Sequence, residues 1–213
     1  VLNVSLFFIA SSLLYRKAFK ALLANKTFFN WIGGVLLLIG ILNLSIFAIF
    51  EFGTTQYFFA FTQMQYALGV PTIAIMVTIC HGLWRQRGKF LWQDPATISL
   101  TSALAVFSIG MLFGLSADGQ DTRTPAHYHG IIGGMNLLFV GLFYCWFFPL
   151  LGRVLPSRKL ILSQIVLYAV GQSLFVMGMF FTGSHGASRK IMGAGIEMDS
   201  PYVILATLVK DFG

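Results

Sequence analysis

The chain has 213 residues, of which 57% are hydrophobic and only 10% charged, and it carries a formal net charge of +7. A water-soluble domain of this length needs far more polar surface, so the composition excludes a soluble fold and points to a membrane protein. The positive charge sits at the ends of apolar runs rather than on a continuous basic face, which argues against a nucleic-acid partner.

Seven apolar segments follow one another, at about residues 1–15, 28–51, 56–84, 96–116, 126–152, 159–182 and a short last one from about 200. Gly, Pro, Asn, Asp or clustered charge separates them, as expected of breaks between helices. Several of the segments reach the roughly 20 residues needed to cross a bilayer core. The expected fold is therefore an all-α integral membrane bundle of about six to seven transmembrane helices, forming a single transmembrane domain over 1–213. Residues 1–14 are already apolar and lack the basic start and small-residue cleavage site of a signal peptide. At the other end, 201–209 looks like a helix cut short. The expectation is that the chain is part of a larger subunit or of a split protein.

The connecting loops divide by charge. Those after the first, third and fifth segments hold Arg16, Lys17, Lys20 and Lys26, then Arg85, Arg87, Lys89 and Asp94, then Arg153, Arg158 and Lys159. That is ten basic residues against one acidic, or +9. The alternate loops hold Glu51, then Asp118, Asp121 and Arg123, then Arg189, Lys190, Glu197 and Asp199, three basic against five acidic, or −2. By the positive-inside rule the first set faces the cytoplasm or matrix and the second faces outward.

Cys80 and Cys145 belong to no CxxC or CxxCH pattern, which argues against a disulfide framework, a zinc knuckle or covalent haem attachment. The eight Met and 22 Phe read as packing and lipid-facing surface. The chemistry lies in four histidines: His81, His127, His129 and His185. His127 and His129 follow Pro125, which suits the first turn of a helix because its missing N–H costs nothing there. Two residues along a helix turn through about 200°, so these imidazoles point to nearly opposite faces. They do not easily share one metal. Two readings are open from the spacing alone. Each histidine holds a separate planar cofactor, since imidazole is a common axial ligand for haem iron, or both only hydrogen-bond to loops and headgroups near a helix end.

The surrounding residues resemble subunit I of the haem-copper oxidases, which includes the cytochrome c oxidases. Ala126-His127-Tyr128-His129-Gly130 is similar to the family's Ala-His-Phe-His-Tyr. Gln120-Asp121-Thr122 is similar to its His-Asp-Thr, and Trp146-Phe147-Phe148-Pro149-Leu150 to its Trp-Phe-Pro-Leu. Gly183-Ser184-His185-Gly186-Ala187-Ser188-Arg189-Lys190 is similar to its Gly-x-Ser-Gly-x-Pro-Arg-Arg loop, and Val70-Pro71-Thr72 to its Ile-Pro-Thr. The matches run in family order over nearly the whole chain, which would stand for helices six to twelve. The resemblance implies that His127 ligates a high-spin haem iron and His129 a low-spin one. It also implies that Arg189 and Lys190 bind haem propionates, and that Asp121 belongs to a magnesium site whose histidine is here Gln120.

The family's copper site is missing. Its adjacent histidine pair falls on Asn43-Leu44, and neither residue is a useful copper ligand; the lysine of one proton path falls near Ile75. What the resemblance implies is therefore a copper-less, haem-binding, electron-transferring subunit of a respiratory complex. Its expected partners are other membrane subunits, the lipid bilayer and a donor such as a cytochrome c or a quinol. The expected location is a bacterial or archaeal plasma membrane. Two alternatives remain: a terminal reductase of oxygen or nitric oxide with an altered second metal, and a structural or transport subunit without cofactor. His185 and His81 read as a loop and an interfacial residue.

Overall fold

The computed structural model describes residues 1–117, 121–186 and 201–211. The described residues form helices joined by short loops, with no strand among them. The helices are α1 (Leu2–Phe19), α2 (Lys26–Ile49), α3 (Thr55–Ala67), α4 (Gly69–Arg85), α5 (Pro95–Gly114), α6 (Arg123–Leu142), α7 (Phe148–Leu150), α8 (Arg158–Ser184) and α9 (Pro201–Asp211). A π-helical turn, Phe143–Phe147, joins α6 to α7.

Five continuous helical segments are long and apolar enough to cross a membrane: Lys26–Ile49, Thr55–Arg85, Pro95–Gly114, Arg123–Leu150 and Arg158–Ser184. The expected six to seven thus become five among the described residues. The eleven-residue α9 rises only about 16 Å. The first helix continues past its apolar run through Arg16 and Lys17, and ends where Lys20 adopts the left-handed conformation (φ 53°). Both cations sit in its last turn, where they complement the partial negative charge of the helix end.

Short polar side chains cap three of the helix starts. Asn25 Oδ1 accepts from the N–H of Phe28 at 2.8 Å, Thr54 Oγ1 from that of Tyr57 at 3.2 Å, and Asp94 Oδ2 from that of Thr97 at 3.0 Å. Each satisfies a backbone donor that the helix leaves without a partner. Two local departures were not expected. The apolar run 56–84 divides at Leu68, whose N–H turns back to the carbonyls of Gln65 and Tyr66. Pro71 follows one turn later and cannot donate to Ala67, so the tighter turn accommodates the break. The run 126–152 widens into the π turn just before Pro149, with the Phe148 N–H reaching the Phe143 carbonyl. Widening there relieves the clash between a proline ring and the carbonyl one turn back.

Packing divides the chain into two compact units, Val1–Phe90 and Leu91–Gly213. In the first, Phe7, Leu14, Ile32, Ile75 and Ile79 are almost wholly buried. The Tyr15 hydroxyl donates to the Gly82 carbonyl at 3.0 Å, fixing α1 against α4. Phe8 stacks on Phe29 (centroids 4.6 Å apart), and Tyr57 packs among Phe47, Phe52 and Phe61. The outward face of α2 exposes Leu37, Leu38, Ile41, Leu44 and Phe47. So large an apolar face is stable against lipid and not against water.

The second unit is assembled on glycine. A Cβ built on Gly130 of α6 would lie 2.4 Å from Gly110 Cα of α5, and one on Gly134 would lie 2.7 Å from Phe107 Cβ. The pairs Gly110–Gly114 and Gly130–Gly134 are both Gly-x-x-x-Gly, the spacing that lets helix backbones touch within a membrane. Further along, a Cβ on Gly133 would meet Gln172 of α8 at 2.4 Å, and one on Gly178 would meet the Lys210 backbone of α9 at 2.5 Å.

Candidate haem-ligand helix

The start of α6 is fixed from both sides. Asp121 Oδ1 accepts from the backbone N–H of Arg123 at 2.8 Å, and the Arg123 guanidinium bonds both carboxylate oxygens, with an ion-pair distance of 2.8 Å. Burial raises the pKa of this carboxyl, but the hydrogen bonds and charge of Arg123 outweigh that, so it lies below the usual carboxylate value. Thr122 donates its hydroxyl to the Met179 carbonyl of α8 at 2.8 Å. Asp121, expected as a magnesium ligand, is therefore engaged locally by Arg123 through both oxygens.

His127 comes one turn later, half-buried against α5. Its Nδ1 lies 2.7 Å from the Gly110 carbonyl oxygen. A carbonyl only accepts, so in the neutral ring Nδ1 carries the proton and Nε2 keeps its lone pair. Gly114 makes room for the ring: a Cβ there would sit 2.5 Å from His127 Nδ1. His129 faces α8 instead. Its ring stands edge-on to Phe175, centroids 5.2 Å apart and planes at 89°. Its backbone carbonyl accepts from Gln172 Nε2 at 2.9 Å, and its ring nitrogens have no hydrogen-bond partner among the described residues. The two imidazoles lie on different faces of one helix, as the 200° spacing requires.

Arg189 and Lys190, expected at the propionates, lie outside the described residues, as does Gln120. His185 caps the end of α8 with Nδ1 2.8 Å from the Phe181 carbonyl, and His81 is exposed. At the positions matched to the copper ligands, the Asn43 amide donates to the Ile39 carbonyl of its own helix at 2.8 Å. Leu44 is exposed, and Ile75 is fully buried. Among the described residues, no group of three or more His, Cys, Asp or Glu could hold a metal. Axial ligation of haem asks for only one imidazole on each face. The residues missed from sequence are Gly110 and Gly114, which orient His127, and Gln172, which fixes the backbone at His129. The Gly-x-x-x-Gly spacing carried the signal for the first two.

No protein-family model matches the chain, and no solved structure matches it. It is similar to an uncharacterized protein of Rickettsia prowazekii (strain Madrid E), with 28% identity over 111 residues covering 47% of this chain. The matched stretch spans 22% of that protein's length.

Proposed function

We propose that this chain is a haem-binding, electron-transferring membrane subunit in which His127 and His129 would each hold a separate haem iron. The observation that carries the reading is the His127 Nδ1 bond to the Gly110 carbonyl. Metal-ligating histidines almost always donate their other ring N–H to a carbonyl or carboxylate, which fixes the tautomer and makes the ligating nitrogen more basic. His129, on the opposite face and with no hydrogen-bond partner for its ring nitrogens among the described residues, suits a second ligand. The resemblance to haem-copper oxidase subunit I supports the same assignment, with Arg189 and Lys190 as the cationic partners of propionates. With Asn43 and Leu44 in place of a histidine pair, the reading includes no copper. Bound haem would supply one-electron redox chemistry, and His127 and His129 are the residues that would hold it.

One observation favours a second reading, a cofactor-free structural subunit. The same His127–Gly110 bond ties α6 to α5, and by itself that is a packing role. A reduced-minus-oxidised optical spectrum of the purified protein, repeated for His127→Ala and His129→Ala, separates the two. Loss of a distinct set of haem bands in each variant is the expected result. Wild-type spectra in both variants, or no haem bands in any, would sink the haem assignment and leave the structural role.

A further inference from the structure

The face of α6 that carries His129 continues as Gly133, Asn136 and Val140 and then as Tyr144 of the π turn, and it meets Gln164, Tyr168 and Gln172, spaced one turn apart on α8. Between the two helices runs an open groove of about 480 Å³, lined by Asn136, Phe139, Val140, Phe143, Tyr144, Gln164 and Tyr168. Asn136 Nδ2 donates to the Tyr168 hydroxyl oxygen at 3.0 Å, and the Tyr144 hydroxyl donates to Gln164 Oε1. Each pair leaves capacity over. Asn136 Oδ1 still accepts, and the Tyr168 O–H and Gln164 Nε2 still donate, with no further partner among the described residues.

These groups lie within candidate membrane-crossing helices. Gln164 is six residues and Tyr168 ten residues beyond Arg158, so they sit about 9 and 15 Å along α8. Donors and acceptors left open to hydrocarbon at that depth are costly, and such residues usually serve a function. Asn136, Gln164, Phe139 and Phe143 are all exposed, so the groove opens sideways, and an occupant that arrives through the membrane must be lipid-soluble.

We propose that the groove between α6 and α8 binds the ring of a membrane-dissolved quinone or quinol. The flat ring lies against Phe139 and Phe143. Its oxygens accept from the Tyr168 hydroxyl and from Gln164 Nε2, which are one helical turn apart, and a quinol hydroxyl donates to Asn136 Oδ1. This rests on the membrane placement of α6 and α8 and stands independently of haem.

The test uses the full chain in detergent, photolabelled with an azidoquinone and mapped by mass spectrometry, with decylubiquinone as competitor. Labelling confined to the segments around 136–144 and 164–168, and displaced saturably by the competitor, is the expected result. Gln164→Leu and Tyr168→Phe should each weaken that displacement about three- to tenfold, the loss of one hydrogen bond. Labelling spread over all helices, or not displaced in the wild-type protein, would overturn the site whether or not the variants fold. So would wild-type affinity in both variants. Neither outcome depends on the optical spectrum, so this site and the haem assignment fail separately.

Discussion

Replacing Gly130 with Ala tests whether backbone contact between α5 and α6 holds the second unit together. The new Cβ would lie 2.4 Å from Gly110 Cα, whereas carbon atoms rest at about 3.5–4.0 Å. The helices must therefore part by about 1 Å or more at the crossing, because the atom in the way is backbone and cannot rotate aside. Overpacking of this kind costs about 1–3 kcal/mol, and removing a glycine from a helix returns about 0.5–1 kcal/mol. The net expectation is a loss of about 1 kcal/mol, and at most about 2.5 kcal/mol. Gly33→Ala is the control, since nothing lies within 4 Å of a Cβ there. It should be neutral or stabilise by about 0.5–1 kcal/mol. Unfolding of both variants in mixed micelles, followed by far-UV circular dichroism, gives the comparison. Equal stability in the two would refute the argument that this interface is set by glycine contact. The same separation lengthens the 2.7 Å bond between His127 and Gly110, so any haem bands that depend on His127 should weaken in Gly130→Ala and persist in Gly33→Ala.

Asp121 has a folded-state pKa below the ordinary carboxylate value, so its pairing with Arg123 contributes stability at neutral pH. That contribution is lost as pH falls from the unfolded value, about 3.9, through the lower folded one. Melting curves should show this acid sensitivity in the wild-type protein and a flatter profile in Asp121→Asn, which should cost about 1 kcal/mol at pH 7. Tyr15→Phe removes the hydroxyl that donates to the Gly82 carbonyl in a buried contact. It should destabilise the first unit by about 1–2 kcal/mol, read by chemical unfolding of the variant. Gly178→Leu drives a side chain into the Lys210 backbone, which a Cβ alone would approach to 2.5 Å. The expected outcome is release of α9, read as new protease cleavage within 201–211 while α5 and α6 stay protected.

Much of the architecture was legible because a bilayer imposes a length and a composition on each helix. The segments at 28–51, 96–116 and 159–182 differ from α2, α5 and α8 by only one or two residues at either end. The capping roles of Asn25, Thr54 and Asp94 came from the structure, where each short side chain accepts from a helix N–H. The opposed faces of His127 and His129 followed from helical rotation alone. What stayed hidden depended on partners distant in sequence or on backbone detail. Leu68 and the π turn before Pro149 alter hydrogen bonding without altering hydropathy, so an apolar run reads straight through them. The local engagement of Asp121 needed the position of the Arg123 guanidinium. The polar pairs Asn136–Tyr168 and Tyr144–Gln164 have a weak trace in sequence, as Gln164, Tyr168 and Gln172 recur every fourth residue in an apolar helix. Only the fold shows that they face α6.

The glycine crossing also separates two stages in the life of this protein. Insertion of a helix into the bilayer depends on the summed hydrophobicity of its residues. Exchanging Gly110 or Gly130 for another small apolar residue changes that sum little, so such substitutions leave α5 and α6 free to insert with normal topology. The fault appears only when the inserted helices try to meet. Such variants should accumulate in the membrane as correctly oriented, unassembled helices, open to the quality-control proteases that survey the bilayer.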